Sequence, residues 1–76
     1  MVFEKVKKVF VDTINCTEDE VELDKRLSED LDIDSLDAVE IGMALESAFD
    51  IEIPDEELAK FETVKDVVDY IESQIN

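Results

Sequence analysis

No histidine occurs in the sequence, so imidazole general-base chemistry and histidine metal ligation are both excluded. The single cysteine, Cys16, has no partner for an internal disulfide or a thiolate zinc site. It is followed by Thr17-Glu18-Asp19-Glu20 instead of the basic neighbours a reactive thiol needs, and reads as a small apolar filler at a helix end. One glycine, one proline and no repeat leave no linker, so residues 1–76 are expected to form a single domain. No apolar run approaches the roughly 20 residues needed to cross a bilayer. The opening Met1-Val2-Phe3-Glu4-Lys5 lacks a signal peptide's basic end and apolar centre. A cytoplasmic protein with no membrane insertion is expected.

Basic residues are also scarce. Seven Lys and Arg stand against 23 Asp and Glu, a formal charge of −16. Between Arg26 and Lys60 there are twelve acidic residues and no basic one. Phosphate contacts need clustered Lys and Arg, so this balance tells against nucleic-acid binding and against anionic membrane surfaces. It fits two readings: a solvated surface that keeps the chain soluble, or a field that attracts basic partners. The hydrophobic fraction of 45% is that of a globular protein. A chain this short buries only about 60% of its unfolded surface, so modest stability follows.

What is present is helical. Phe3, Val6, Phe10 and Ile14 repeat at the spacing of an amphipathic helix that should end near Asn15. Thr17 with Glu20 has the form of a capping box and predicts at most one short turn. A long loop then runs to about Asp34, tied to the core by Val21, Leu23, Leu27 and Leu31; loops of that length are often functional. Asp34 should cap a helix reaching Phe49, with Asp37 at its third position. Ile51-Glu52-Ile53 should be extended before Pro54, and a short helix should cover Asp55 to Phe61. Thr63 with Asp66 should cap the last helix, whose stripe is Val64, Val68, Ile71 and Ile75. The expected fold is all-α: a small four-helix bundle of three long helices and one short.

The helix from Ser35 carries two apolar stripes. Ala38, Ile41, Leu45, Ala48 and Phe49, with Gly42 at the margin, suffice for a core face. Leu36, Val39 and Met43 lie on roughly the opposite side, interleaved with Glu40 and Glu46. A small bundle cannot bury both. Scattered surface apolar residues are ordinary, yet three in line among carboxylates suit a partner groove with an apolar floor and a basic rim. Ser35 at the helix start is open to a structural role at the free backbone N–H groups. No histidine can take its proton, so Ser35 is not a self-activated nucleophile of the usual kind.

Asp34-Ser35-Leu36-Asp37-Ala38-Val39-Glu40 resembles the attachment signature of acyl carrier proteins. Ser28-Glu29-Asp30-Leu31, Met43-Ala44-Leu45-Glu46, Ile51-Glu52-Ile53-Pro54-Asp55-Glu56-Glu57 and Asp69-Tyr70-Ile71 resemble further segments of that family, in order and at family length. The resemblance implies a non-enzyme monomer in which Ser35 is esterified with 4′-phosphopantetheine by a phosphopantetheinyl transferase, coenzyme A being the donor. The arm's thiol then holds growing acyl chains as thioesters during fatty acid biosynthesis. Carried over residue by residue, the resemblance makes Asp34, Leu36, Asp37, Val39, Glu40, Met43 and Glu46 a face for enzymes with basic patches. It makes Ile41, Leu45, Ile53, Leu58 and Phe61 the lining of an acyl pocket.

Two departures stand out: Asp32 replaces the family's usual glycine before the motif, predicting a reshaped loop, and the glycine after the first helix is missing near Cys16. Asp30-Leu31-Asp32-Ile33-Asp34 begins like a calcium loop, but Ser35 and Ile41 stand where its glycine and closing glutamate belong, leaving at most weak divalent-ion binding. The alternatives are a carrier for a specialised polyketide, peptide or D-alanyl pathway, and an unmodified acidic interaction module.

Overall fold

The computed structural model describes residues 2–75. Helices run Val2–Ile14 (α1), Ser35–Phe49 (α2), Asp55–Lys60 (α3) and Val64–Ile75 (α4), with one turn of 3-10 helix at Glu18–Glu20. Among the described residues no strand forms; Arg26 and Thr63 make an isolated antiparallel bridge. Helical spacing therefore predicted the fold class and the element order correctly.

Val6 and Phe10 of the α1 stripe are fully buried, with Phe3 and Ile14 packed at the edge of the core. The helix ends as its last residues dictate: Asn15 takes a left-handed φ of 61°, and its N–H donates to the Val11 carbonyl at 3.1 Å. Asparagine tolerates that conformation better than most residues and does the work a glycine would do there. Beyond it, the Glu20 carboxylate accepts from the Thr17 N–H at 3.1 Å and from the Thr17 hydroxyl at 2.9 Å. These bonds hold the Glu20 carboxyl below its ordinary range.

The loop from Val21 to Asp34 lies against the α3–α4 junction. Leu27 N–H donates to the Glu62 carbonyl at 2.9 Å, and the carbonyls of Lys25 and Leu23 accept from Val64 and Lys65 at 3.1 and 2.9 Å. Val64 and Lys65 are the first residues of α4, whose N–H groups have no partner within the helix. The loop supplies one. Val21 is buried, and Leu27 and Leu31 pack partly against the core. Leu23 departs from expectation: 40% exposed, it ties the loop through its carbonyl and not its side chain. Ile33 takes the buried place instead.

The core joins Val6 and Phe10 of α1 to Ile41 and Leu45 of α2, Ile53 of the connection, and Val64, Val67, Val68 and Ile71 of α4. Val67 widens the α4 stripe, while Ile75 at its end is largely exposed. No polar side chain is buried among the described residues, so apolar burial and helix caps hold this bundle together.

Candidate functional site

Asp34 builds the start of α2. Its extended backbone (φ −93°, ψ −175°) turns the chain into the helix, and its carboxylate accepts from the Asp37 N–H at 2.9 Å. Ahead of it, Asp32 holds a left-handed φ of 56°, the region glycine enters without strain. Aspartate thus accepts at position 32 a conformation that glycine would adopt freely, so the expected reshaping of the loop does not follow from the residue change.

Ser35 is the first residue of α2 and is exposed. Among the described residues its hydroxyl has no hydrogen-bond partner, because the capping work is done by Asp34. Leu36, Val39 and Met43 continue along the same helix at 70%, 46% and 59% exposure. The second apolar stripe is therefore open to solvent, with Glu40 exposed among it and Asp37 half-buried. Glu46 differs from its neighbours on this face. Its carboxylate accepts from the Ile53 N–H at 2.7 Å, so it braces the connection between α2 and α3.

Ser35 also stands at the edge of a pocket of about 550 Å³. Ile41, Leu45, Leu58 and Phe61 line it, as do Phe10, Ile33 and Val67 from other parts of the core. Arg26, Glu29, Asp34, Asp55 and Glu62 contribute its charged members. Ile53, expected in the lining, is not there: it is buried elsewhere in the core, with its N–H held by Glu46. Val39 belongs both to the open stripe and to the pocket lining. The sequence shows Phe10 only as a core residue and leaves Val67 out of the α4 stripe, because their place in the pocket depends on how α1 and α4 cross α2.

The arrangement offers an exposed serine oxygen at a helix start, flanked in sequence by Asp34, whose carboxylate is engaged in the cap, and by Leu36. An arm attached there fits on two counts: the hydroxyl is accessible, and apolar lining lies beside it. Cys16 is remote in character from such chemistry. It is half-buried, and burial, followed by the Glu20 charge, pushes its thiol above the ordinary value. No group of three or more His, Cys, Asp or Glu among the described residues is arranged to hold a metal ion.

Residues 4–71 match the family model described as "Phosphopantetheine attachment site". The acyl carrier protein of Helicobacter hepaticus is 56% identical over 71 residues, covering 93% of each chain. That of Petrotoga mobilis is 48% identical over 75 residues, covering 99% of this chain and 88% of the relative. The acyl carrier protein of Wolinella succinogenes is 51% identical over 72 residues, covering 95% of each. With a match across almost its whole length and relatives near half identical, the chain belongs to the phosphopantetheine-bearing acyl carrier protein family.

Proposed function

We propose that this chain carries acyl groups of fatty acid biosynthesis as thioesters on a 4′-phosphopantetheine arm esterified to Ser35, and that it catalyses no step itself. The observation that carries this reading is the placement of Ser35: an exposed hydroxyl, unused by any cap, at the edge of an apolar pocket. In the attachment step the Ser35 oxygen forms a bond to the phosphorus bearing pantetheine in coenzyme A. The phosphoanhydride bond breaks, the adenosine bisphosphate half leaves, and the serine proton passes to a base on the transferase. The α2 N-terminus favours the new phosphodiester by up to about 1 kcal/mol, against repulsion from Asp34 and Asp37. Once bound, the arm supplies a thiol that holds acyl groups; the chain itself contributes the anchor, the docking stripe and the pocket.

Leu36, Val39 and Met43, flanked by Asp37 and Glu40, form the face that enzymes with basic patches and the transferase engage. Glu46 joins that face less directly because its carboxylate already serves Ile53. Ile41, Leu45, Leu58 and Phe61 take the acyl chain. Residues 1–76 act as one monomeric carrier unit in the cytoplasm; no helix among the described residues is long and apolar enough to cross a membrane. Co-expression with a phosphopantetheinyl transferase tests the reading by intact-protein mass spectrometry. One added arm, missing from Ser35→Ala, is expected; an unmodified chain under conditions that load another carrier would overturn it.

A further inference from the structure

The chain's one glycine lies at no turn. Gly42 is buried in the middle of α2, and among the described residues no glycine has a positive φ. A glycine in a helix interior is less stable than alanine, so its backbone freedom cannot be the reason for it. The reason lies across the helix interface. A β-carbon at position 42 would stand 3.2 Å from Leu58 Cδ2 and 3.3 Å from Leu58 Cδ1, tighter than most β-carbon contacts, so that the leucine would have to give by a few tenths of an ångström. The Leu58 side chain is seated in the notch that the missing side chain leaves. That same leucine lines the pocket beside Ser35, together with Ile41 and Leu45 from α2.

A β-carbon at position 42 would displace Leu58, and the displacement has a preferred direction. The segment that joins α2 to α3 is pinned by the Glu46 carboxylate on the Ile53 N–H at 2.7 Å and by the Tyr70 hydroxyl on the Glu52 carbonyl at 3.2 Å. With that connection held, the flexible leucine side chain would yield before the backbone, and the open space beside it is the pocket it already lines.

We infer that Gly42 is a specificity-determining residue: by seating Leu58 against the α2 backbone it sets the longest acyl chain the pocket accepts. The inference rests on the proposed carrier function. It makes Gly42 a position where helix stability is given up for pocket volume, and it makes Leu58 the movable wall.

Thermal denaturation of the arm-bearing protein, loaded with saturated acyl groups from butanoyl to dodecanoyl, tests this. Each further methylene removed from water should raise Tm until the pocket is full. In Gly42→Ala the rise should stop at a shorter chain than in the wild type, and in Gly42→Val shorter still. Leu58→Ala should extend it, and Gly42→Val with Leu58→Ala should return it towards the wild-type limit. Without an acyl group, Gly42→Ala should melt at or above the wild type, which separates lost capacity from a damaged fold; should Gly42→Val not fold, the alanine variant decides. Gly42 variants with the wild-type chain-length profile would overturn the inference alone. A wild-type chain that never takes the arm would overturn the carrier reading, and this inference with it.

Discussion

The N-termini of α2 and α4 start from nearly the same materials and spend them differently. At α4, the Thr63 hydroxyl accepts from the Asp66 N–H at 3.2 Å, and the Asp66 carboxylate accepts from the Glu62 and Thr63 N–H groups at 2.9 and 3.1 Å. Loop carbonyls take the N–H groups of Val64 and Lys65. The Thr63 hydroxyl and the Asp66 carboxylate are both engaged in holding the helix. At α2, the Asp34 carboxylate takes the Asp37 N–H alone, and the Ser35 hydroxyl is left over. A hydroxyl at a helix start is structural by default; the one beside the pocket is released from that duty because an aspartate performs it. Function here is placed where a polar group has been left unused.

Exchanging the two hydroxyls breaks the comparison most sharply. Ser35→Ala should abolish attachment of the arm while changing folding stability by less than about 0.5 kcal/mol, since it removes no native contact of note. Thr63→Ala should do the reverse: attachment continues, and stability falls by about 1 kcal/mol in urea unfolding. If Thr63→Ala lost the arm while remaining folded, the division of roles would be wrong.

The apolar stripe sharpens the contrast at the next level. Leu36→Asp should weaken binding to the transferase by about 2 kcal/mol, roughly 30-fold by calorimetry, as expected for a central apolar contact. The same change at so exposed a position should leave the melting curve nearly unchanged. A large loss of stability would mean that the stripe belongs to the fold.

A smaller effect comes from strain. Asp32 and Asp50 both hold left-handed φ values, 56° and 55°. Asp32→Gly should raise stability by up to about 1 kcal/mol by relieving the Cβ clash of that conformation and removing one negative charge from an acidic loop. No gain in chemical denaturation would mean that the aspartate side chain offsets its own strain.

The acid limb of the stability curve tests the α4 cap. The Glu62 N–H, followed by the bonds to Thr63, holds the Asp66 carboxyl below its ordinary value. A carboxyl with a depressed folded pKa contributes stability above the unfolded value of about 3.9, and that contribution is lost as pH falls through the folded value. Asp66→Asn should therefore flatten the loss of stability below about pH 4 in acid titration.

Much of this was legible from local chemistry. Asn15 ending α1, Asp34 capping α2, Pro54 opening α3 and the Thr63–Asp66 box all depend on neighbours in sequence, and each sits where the residue types require. The two stripes of α2 were equally readable, because periodicity alone separates Ile41 and Leu45 from Leu36, Val39 and Met43. What escaped depends on distant partners. Leu23 and Ile33 are both apolar loop residues, and only the docking of the loop on α4 decides which is buried. Ile53 lies outside the pocket lining, and its N–H donates to Glu46, a bond seven residues apart in sequence that no local pattern announces.

The most direct test of the central assignment is to locate the arm within the chain. Fragmentation mass spectrometry of the modified protein should place a single phosphopantetheine on the peptide containing Ser35, with the hydroxyls of Thr17, Ser28 and Thr63 bare. An arm on any of those residues, or on the exposed Ser47 of α2, at the same yield, would contradict the claim that Ser35 is the hydroxyl that takes the arm.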